Sequence, residues 1–212
     1  MSDLPNGPAG NTCYACDQAA TTKEHAPPRS FFPEGGRGLN LIKVPSCKVH
    51  NCDISLDVEY VRNSIVSAAG LNERGELLID AAKRSFDHSP KLLERTFESF
   101  TDHSREEQVG TYQFNLERVD KVMTAVAQAL HYRDLGQKWS CRLVFVPSLK
   151  SEWSLIHKTH DGWDGVRDLF GSVSYINRPT ADPKVFMYGS QAVDGGWAYR
   201  LTFYGALSST RS

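Results

Sequence analysis

Two short pairs of metal-ligating residues, Cys13-x-x-Cys16 and Cys47-x-x-His50, frame a stretch with little else to fold around. Between them stand Pro27, Pro28, Pro33, Gly35, Gly36 and Gly38, and few apolar residues, so 13–51 cannot bury a large core by itself. A segment of that kind folds on a metal or on a partner surface. Both pairs are spaced by two residues, and thirty residues separate them, which matches the way structural zinc is held. The first pair is expected as a tight knuckle on a turn and the second where a strand or loop enters a helix, so that both converge on one tetrahedron. Four protein ligands leave no open position for chemistry, and the ion lowers the pKa of its thiols. Cys52 lies within reach of the second pair, but the spacing from Cys47 to His50 repeats that of Cys13 to Cys16, and Cys52 is read as a core thiol or bystander.

Four of the five cysteines fall in the first 52 residues, and the odd count argues against a disulfide framework. Cys141, at the start of an apolar run, is read as a buried core thiol. The opening Met-Ser-Asp-Leu-Pro-Asn-Gly-Pro has neither a basic region nor an apolar stretch, and no run of about 18 apolar residues occurs, so no membrane partner and a cytoplasmic location are expected. Formal charge is −1, from 24 Lys and Arg against 25 Asp and Glu. Broad phosphate neutralisation is thereby disfavoured; a nucleic-acid site here has to depend on local placement, a bound cation or a partner.

Residues 1–12 read as a disordered lead-in, 13–68 as the metal module and 69–212 as an α+β C-terminal domain. Leu56, Tyr60 and Val61 predict a helix from about 50 to 68, ended by Gly70, with shorter helical pieces over 76–87 and 90–101. The clearest helix is 115–134, with Leu116, Val119, Val122, Met123, Val126, Leu130 and Tyr132 on one face. Strands are expected at 141–146, 173–176, 185–188 and 197–204, the last with Ala198, Arg200 and Thr202 on one face and Tyr199, Leu201 and Phe203 on the other. Gly195-Gly196 is a natural turn. An antiparallel sheet packed on the long helix follows.

The order Cys-x-x-Cys, Glu24-His25, Asn40-Leu41, Cys47-x-x-His50-Asn51 resembles the HNH endonuclease superfamily, in its zinc-knuckle branch. The resemblance covers about residues 13–62 and implies a ββα-metal fold, a hairpin and a helix around a divalent ion. It also implies roles. His25 would be the general base, Asn40 the residue whose carbonyl orients it, and Glu24 with Asn51 the ligands of a catalytic Mg2+, or Mn2+ or Ni2+, beside the structural Zn2+. Two positions depart from the usual pattern. Glu24 stands where Asp is common, and His50 where a second Cys is common. Imidazole titrates near neutrality and suits proton abstraction from water; a hard cation on carboxylate and amide oxygens suits the leaving group.

The expected function is therefore metal-dependent hydrolysis of nucleic acid, DNA ahead of RNA, by a protein with an activating partner or as a homo-oligomer, in a defence setting such as restriction. Two other classes stand beside it: a non-catalytic zinc module that binds nucleic acid or protein, and an interaction or ligand-sensing protein acting through its C-terminal domain. Elsewhere, Lys43, Lys48 and Arg62 either meet phosphates or face solvent, and Asp57 faces solvent or pairs with a base such as Arg62. His157 and His160, beside Asp161 and Trp163, read as a surface loop, and the aromatic residues of 163–204 as sheet core. His131, Tyr132 and Arg133 read as a polar helix cap.

Overall fold

A four-residue strand, β1 (Thr22–His25), pairs antiparallel with β2 (Lys43–Ser46), His25 opposite Lys43 and Glu24 opposite Val44. The computed structural model describes residues 12–67, 72–96, 101–102, 110–111, 115–139, 173–194 and 196–205. The residues expected as a lead-in, save Thr12, and the expected strand at 141–146, with Cys141, His157 and His160, lie outside them. Two 3-10 turns, Arg29–Phe31 and Pro33–Gly36, bridge the hairpin. The second is left-handed at Glu34, Gly35 and Gly36 (φ 52°, 63° and 65°), and a Cβ on Gly36 would meet Leu41 at 2.8 Å, so glycine is required there.

After β2 the chain enters α1 (Lys48–Cys52) and α2 (Ser55–Ser67). The single helix expected over 50–68 is two, divided at 53–54. Tyr60 and Val61 are buried as expected, but Leu56 is 59% exposed. Two more helices follow, α3 (Glu73–His88), capped by Asn72 accepting from the Arg74 and Gly75 N–H groups, and α4 (Pro90–Thr96). A two-residue pair, β3 (Thr101–Asp102) and β4 (Gly110–Thr111), precedes α5 (Leu116–Leu135). Helix α5 starts on the Asn115 cap and stops at Gly136, which takes the left-handed conformation at φ 67° and donates to the Tyr132 carbonyl.

The C-terminal sheet runs β5 (Ile176–Arg178), β6 (Phe186–Val193), β7 (Gly196–Phe203), all antiparallel, with the last hairpin closing at Val193 opposite Gly196. Tyr199, Leu201 and Phe203 share one face, as alternation requires, and that face meets α5: the His131 ring nitrogen Nδ1 lies 3.1 Å from the Tyr199 hydroxyl, and Tyr188 donates to Asp134 at 2.9 Å. His131 is therefore a buried side chain of the helix–sheet interface and Tyr132 is buried as well, so neither is a polar cap to the helix.

One apolar cluster runs from Cys13 and Phe31 through Val61 and Leu130 to Phe186 and Tyr204. The turn-rich segment contributes more to it than its composition implies. Phe31 and Phe32 are buried, Phe31 packs edge-on against Phe203 at 5.6 Å, and the Tyr204 hydroxyl donates to the Phe31 carbonyl. Polar ties add to this. Arg74 grips Asp182 through two nitrogens at 3.0 and 2.6 Å, and Tyr60 accepts from the Asn115 N–H at 2.8 Å. Asp57 pairs with Lys121 and Arg118 on α5, and Arg62 donates to Asn63. Among the described residues no helix is long and apolar enough to cross a membrane.

Candidate metal centre and neighbouring site

The first knuckle is shaped by its own backbone. The Cys13 N–H donates to the Gln18 carbonyl at 2.8 Å, a bridge joins Thr12 and Ala19, and the Tyr14 N–H donates to Pro45 at 2.8 Å. That last bond brings the knuckle against the end of β2, two residues before Cys47. Cys47 caps α1 in extended conformation, and His50 follows one turn later, so its ring swings back over the Cys47 sulfur. The ligand atoms of Cys13, Cys16, Cys47 and His50 all lie within 4.8 Å of one another.

Their separations test the fit to a metal. His50 Nδ1 lies 3.2, 3.5 and 3.6 Å from the sulfurs of Cys47, Cys16 and Cys13, and the Cys16 and Cys47 sulfurs are 3.8 Å apart. A tetrahedron with zinc–sulfur bonds of about 2.3 Å and a zinc–nitrogen bond of about 2.0 Å has edges of about 3.8 Å and about 3.5 Å. The four residues thus form a Cys3His cluster with the spacing of a closed tetrahedral site, in which Nδ1 is the nitrogen that faces the sulfurs. Three thiolates outweigh a dication by one charge. Lys138, just past α5, lies close by, donating to the Cys16 carbonyl and to Asp17, each at 2.7 Å. Cys52 is exposed and outside the cluster.

Beside this cluster the hairpin presents two faces. The Ala26 N–H donates to the Ile42 carbonyl at 3.1 Å, so alternation along the pair turns the backbone groups of Glu24 toward β2 and those of Lys23 and His25 toward the other edge. No strand covers that edge among the described residues. Asn51, on α1, lies along it: its amide nitrogen donates to the Thr22 hydroxyl at 2.8 Å and to the Lys23 carbonyl at 3.5 Å. Burial pushes the Glu24 carboxyl up to about 7, and the His25 N–H, on the same free edge, holds it partly in check. The Asn51 amide therefore lies against this edge at Thr22 and Lys23, which precede Glu24 and His25 on β1. No Lys or Arg pairs with Glu24 among the described residues, so a half-buried carboxylate stands without a counter-ion.

His25 stands on the opposite face, with Lys43 across the pair and Lys23 two residues back. Burial, then the charges of Lys43 and Arg29, lowers its pKa and keeps the ring neutral. Arg29 is fixed by donating to the Gly35 carbonyl at 3.1 Å, inside the left-handed turn. Asn40 is exposed, and no hydrogen bond joins it to His25. Arg29 escaped the sequence reading; its position depends on a turn conformation that only the glycine run hints at.

A second polar group lies at the far end of α5. The Asp134 side chain, 5% exposed, accepts from Tyr188 and has Arg178 at 3.8 Å, while its Oδ2 and the Trp139 indole nitrogen have no hydrogen-bond partner among the described residues. Burial raises the Asp134 pKa despite those neighbours.

The described structure thus defines a protein with a metal-binding Cys3His module set against a helix–sheet body. No family model, no curated protein and no solved structure matches the chain.

Glu24→Gln is expected to stabilise the cation-free protein above pH 7. A carboxyl whose pKa rises on folding binds more protons folded than unfolded, so stability falls as pH climbs from 4.5 to about 7 and the penalty is full beyond. After discounting for the solvent that reaches the group, the gain is about 1–2 kcal/mol, read by urea unfolding at pH 8 and vanishing at pH 4. A destabilised variant at pH 8 contradicts the unpaired, desolvated carboxylate.

Proposed function

We propose that the chain is a metal-dependent nuclease of HNH type, hydrolysing phosphodiester bonds in nucleic acid, DNA ahead of RNA, with a structural Zn2+ in the Cys3His cluster. The observation that supports the reading is a half-buried Glu24 carboxylate without a counter-ion, one residue from His25, with the Asn51 amide held beside it in the chain, on the Thr22 hydroxyl and the Lys23 carbonyl at the free edge of β1. A phosphodiester lying across that edge meets the imidazole from one face and the carboxylate from the other. His25 takes a proton from water, whose oxygen attacks phosphorus, and the bond to the 3′ oxygen breaks. Arg29 and Lys43, whose charges act on His25, would offset the charge of the phosphate oxygens. Glu24 and Asn51 would hold a divalent cation, Mg2+ or in its place Mn2+ or Ni2+, which would supply positive charge against the departing 3′ oxygen. The attacking group is water, so no 2′ hydroxyl is needed, which is why DNA comes first.

The second reading, a zinc module that binds nucleic acid or protein without cutting, draws on the metal cluster most directly. The tetrahedral spacing needs no catalytic site beside it, and Asn40 makes no bond to His25. An unpaired, half-buried Glu24 is what that reading leaves unexplained. The two separate when zinc-loaded protein is incubated with supercoiled plasmid and with single-stranded RNA in Mg2+, Mn2+ or Ni2+, beside His25→Ala. Cation-dependent cutting that the variant loses supports the nuclease. Binding by gel shift, with no cutting in any cation, supports the module.

A further inference from the structure

The Thr22 hydroxyl sits between two groups of opposite need. It lies 3.0 Å from the Ser46 carbonyl across the β1–β2 pair, into which it donates. A hydroxyl has one hydrogen, so toward any other neighbour it can only accept. Asn51 Nδ2 is that neighbour at 2.8 Å, and the same nitrogen reaches the Lys23 carbonyl at 3.5 Å. A backbone carbonyl is an acceptor without exception. Asn51 therefore faces two acceptors at once, and both demand the NH2 end of its amide. Turned over, the amide would set its oxygen against the Lys23 carbonyl oxygen and take the Thr22 hydrogen from Ser46.

The consequence is felt at the other end of the same side chain. With Nδ2 held on Thr22 and Lys23, Oδ1 is the free end of the amide and accepts from no group among the described residues. An asparagine contributes no charge to a cation site, and only its oxygen end can ligate. Free rotation would spend part of the time presenting NH2 to the cation, which repels it.

We propose that Thr22 is a positioning residue that sets the polarity of the Asn51 amide, turning its oxygen toward the cation that Glu24 holds. The inference rests on the nuclease reading for that cation, but it assigns a function to a residue outside the motif. Ser46 is part of the same device, since its carbonyl holds the Thr22 hydrogen and forces the hydroxyl to accept. Thr22 is half-buried and touches neither the Cys3His cluster nor His25 in any hydrogen bond, so its loss leaves the zinc and the general base in place.

The test is Mn2+ binding to the zinc-loaded full chain, followed by the electron paramagnetic resonance of free Mn2+, for wild type, Thr22→Val, Thr22→Ser and Glu24→Gln. Valine keeps the branched shape and strand preference without the acceptor; serine keeps the hydroxyl. Thr22→Val is expected to bind Mn2+ about tenfold more weakly, and Thr22→Ser to stay within about twofold of wild type, with zinc content equal in all four. Equal affinity in wild type and Thr22→Val, or a serine variant as weak as the valine one, overturns the proposal while Glu24→Gln still loses Mn2+. Should Glu24→Gln bind Mn2+ as wild type does, the cation site itself falls, and the positioning of Asn51 falls with it.

Discussion

Cys47→Ser is expected to release zinc and to unfold the region from Thr12 to His50, lowering the thermal midpoint by more than about 10 °C. The hairpin of β1 and β2 has four residues on each strand, too short to stand alone. Cys47 is the hinge of the cluster: its sulfur is 3.2 Å from His50 and 3.8 Å from Cys16, so its loss removes the shared corner of both pairs. Structural zinc contributes on the order of 10–16 kcal/mol in small modules, as much as the whole stability of an ordinary domain. The hydroxyl of serine is a poor replacement for a thiolate, and Cys13, buried at 0% exposure, would be left as an uncompensated ligand in the core. Metal content and hydrogen exchange over 12–51 against α5 read the outcome. A midpoint drop of about 2 °C or less, the size of a ~1 kcal/mol change in a chain of this length, would show that Phe31, Phe32 and Leu41 hold the segment without the ion.

His25→Ala is expected to lower cutting by a factor of about 10²–10⁴ with zinc content and folding unchanged. The imidazole makes no hydrogen bond among the described residues, so removing it takes away a proton acceptor and little structure. Its pKa is lowered by burial and by Lys43 and Arg29, and the sign of the pH effect follows. The base must be neutral to act. At saturating cation the rate should therefore rise with pH to a plateau, with its half-maximal point below the ordinary histidine value of about 6.5. The Glu24 pKa is shifted the other way, and its deprotonation favours activity too: the cation-free carboxyl stands at about 7, so the cation concentration for half-maximal rate should fall as pH rises through 7. A variant that cuts within about fivefold of wild type removes His25 from the chemistry, because general-base catalysis is worth at least ten times more than that.

The Cys3His cluster and the long helix were open to reading from residues alone, for the same physical reason. A tight turn fixes where two ligands three residues apart can point, and the 3.6-residue period, the Asn115 cap and Gly136 fix where α5 begins and ends. The alternation of β7 was legible too, since successive side chains on a strand have only two directions. All of these are local rules, acting across a turn or two of chain.

Only the packed chain could decide the rest. Which histidine nitrogen faces the sulfurs depends on how α1 leaves β2. That Asn51 meets the free edge of β1 depends on strand register, which sends the carbonyl of Lys23 away from β2. Leu56 is exposed and His131 buried because of what lies opposite each of them, and Asp57 finds its bases on α5, over sixty residues along. Phe31 and Phe32 belong to the core because Phe203 and Tyr204 arrive from the far end of the chain. Local spacing governs geometry across a few covalent bonds; burial and the pairing of distant charges are settled by solvent exclusion, which acts on surfaces that exist only once the chain has closed on itself.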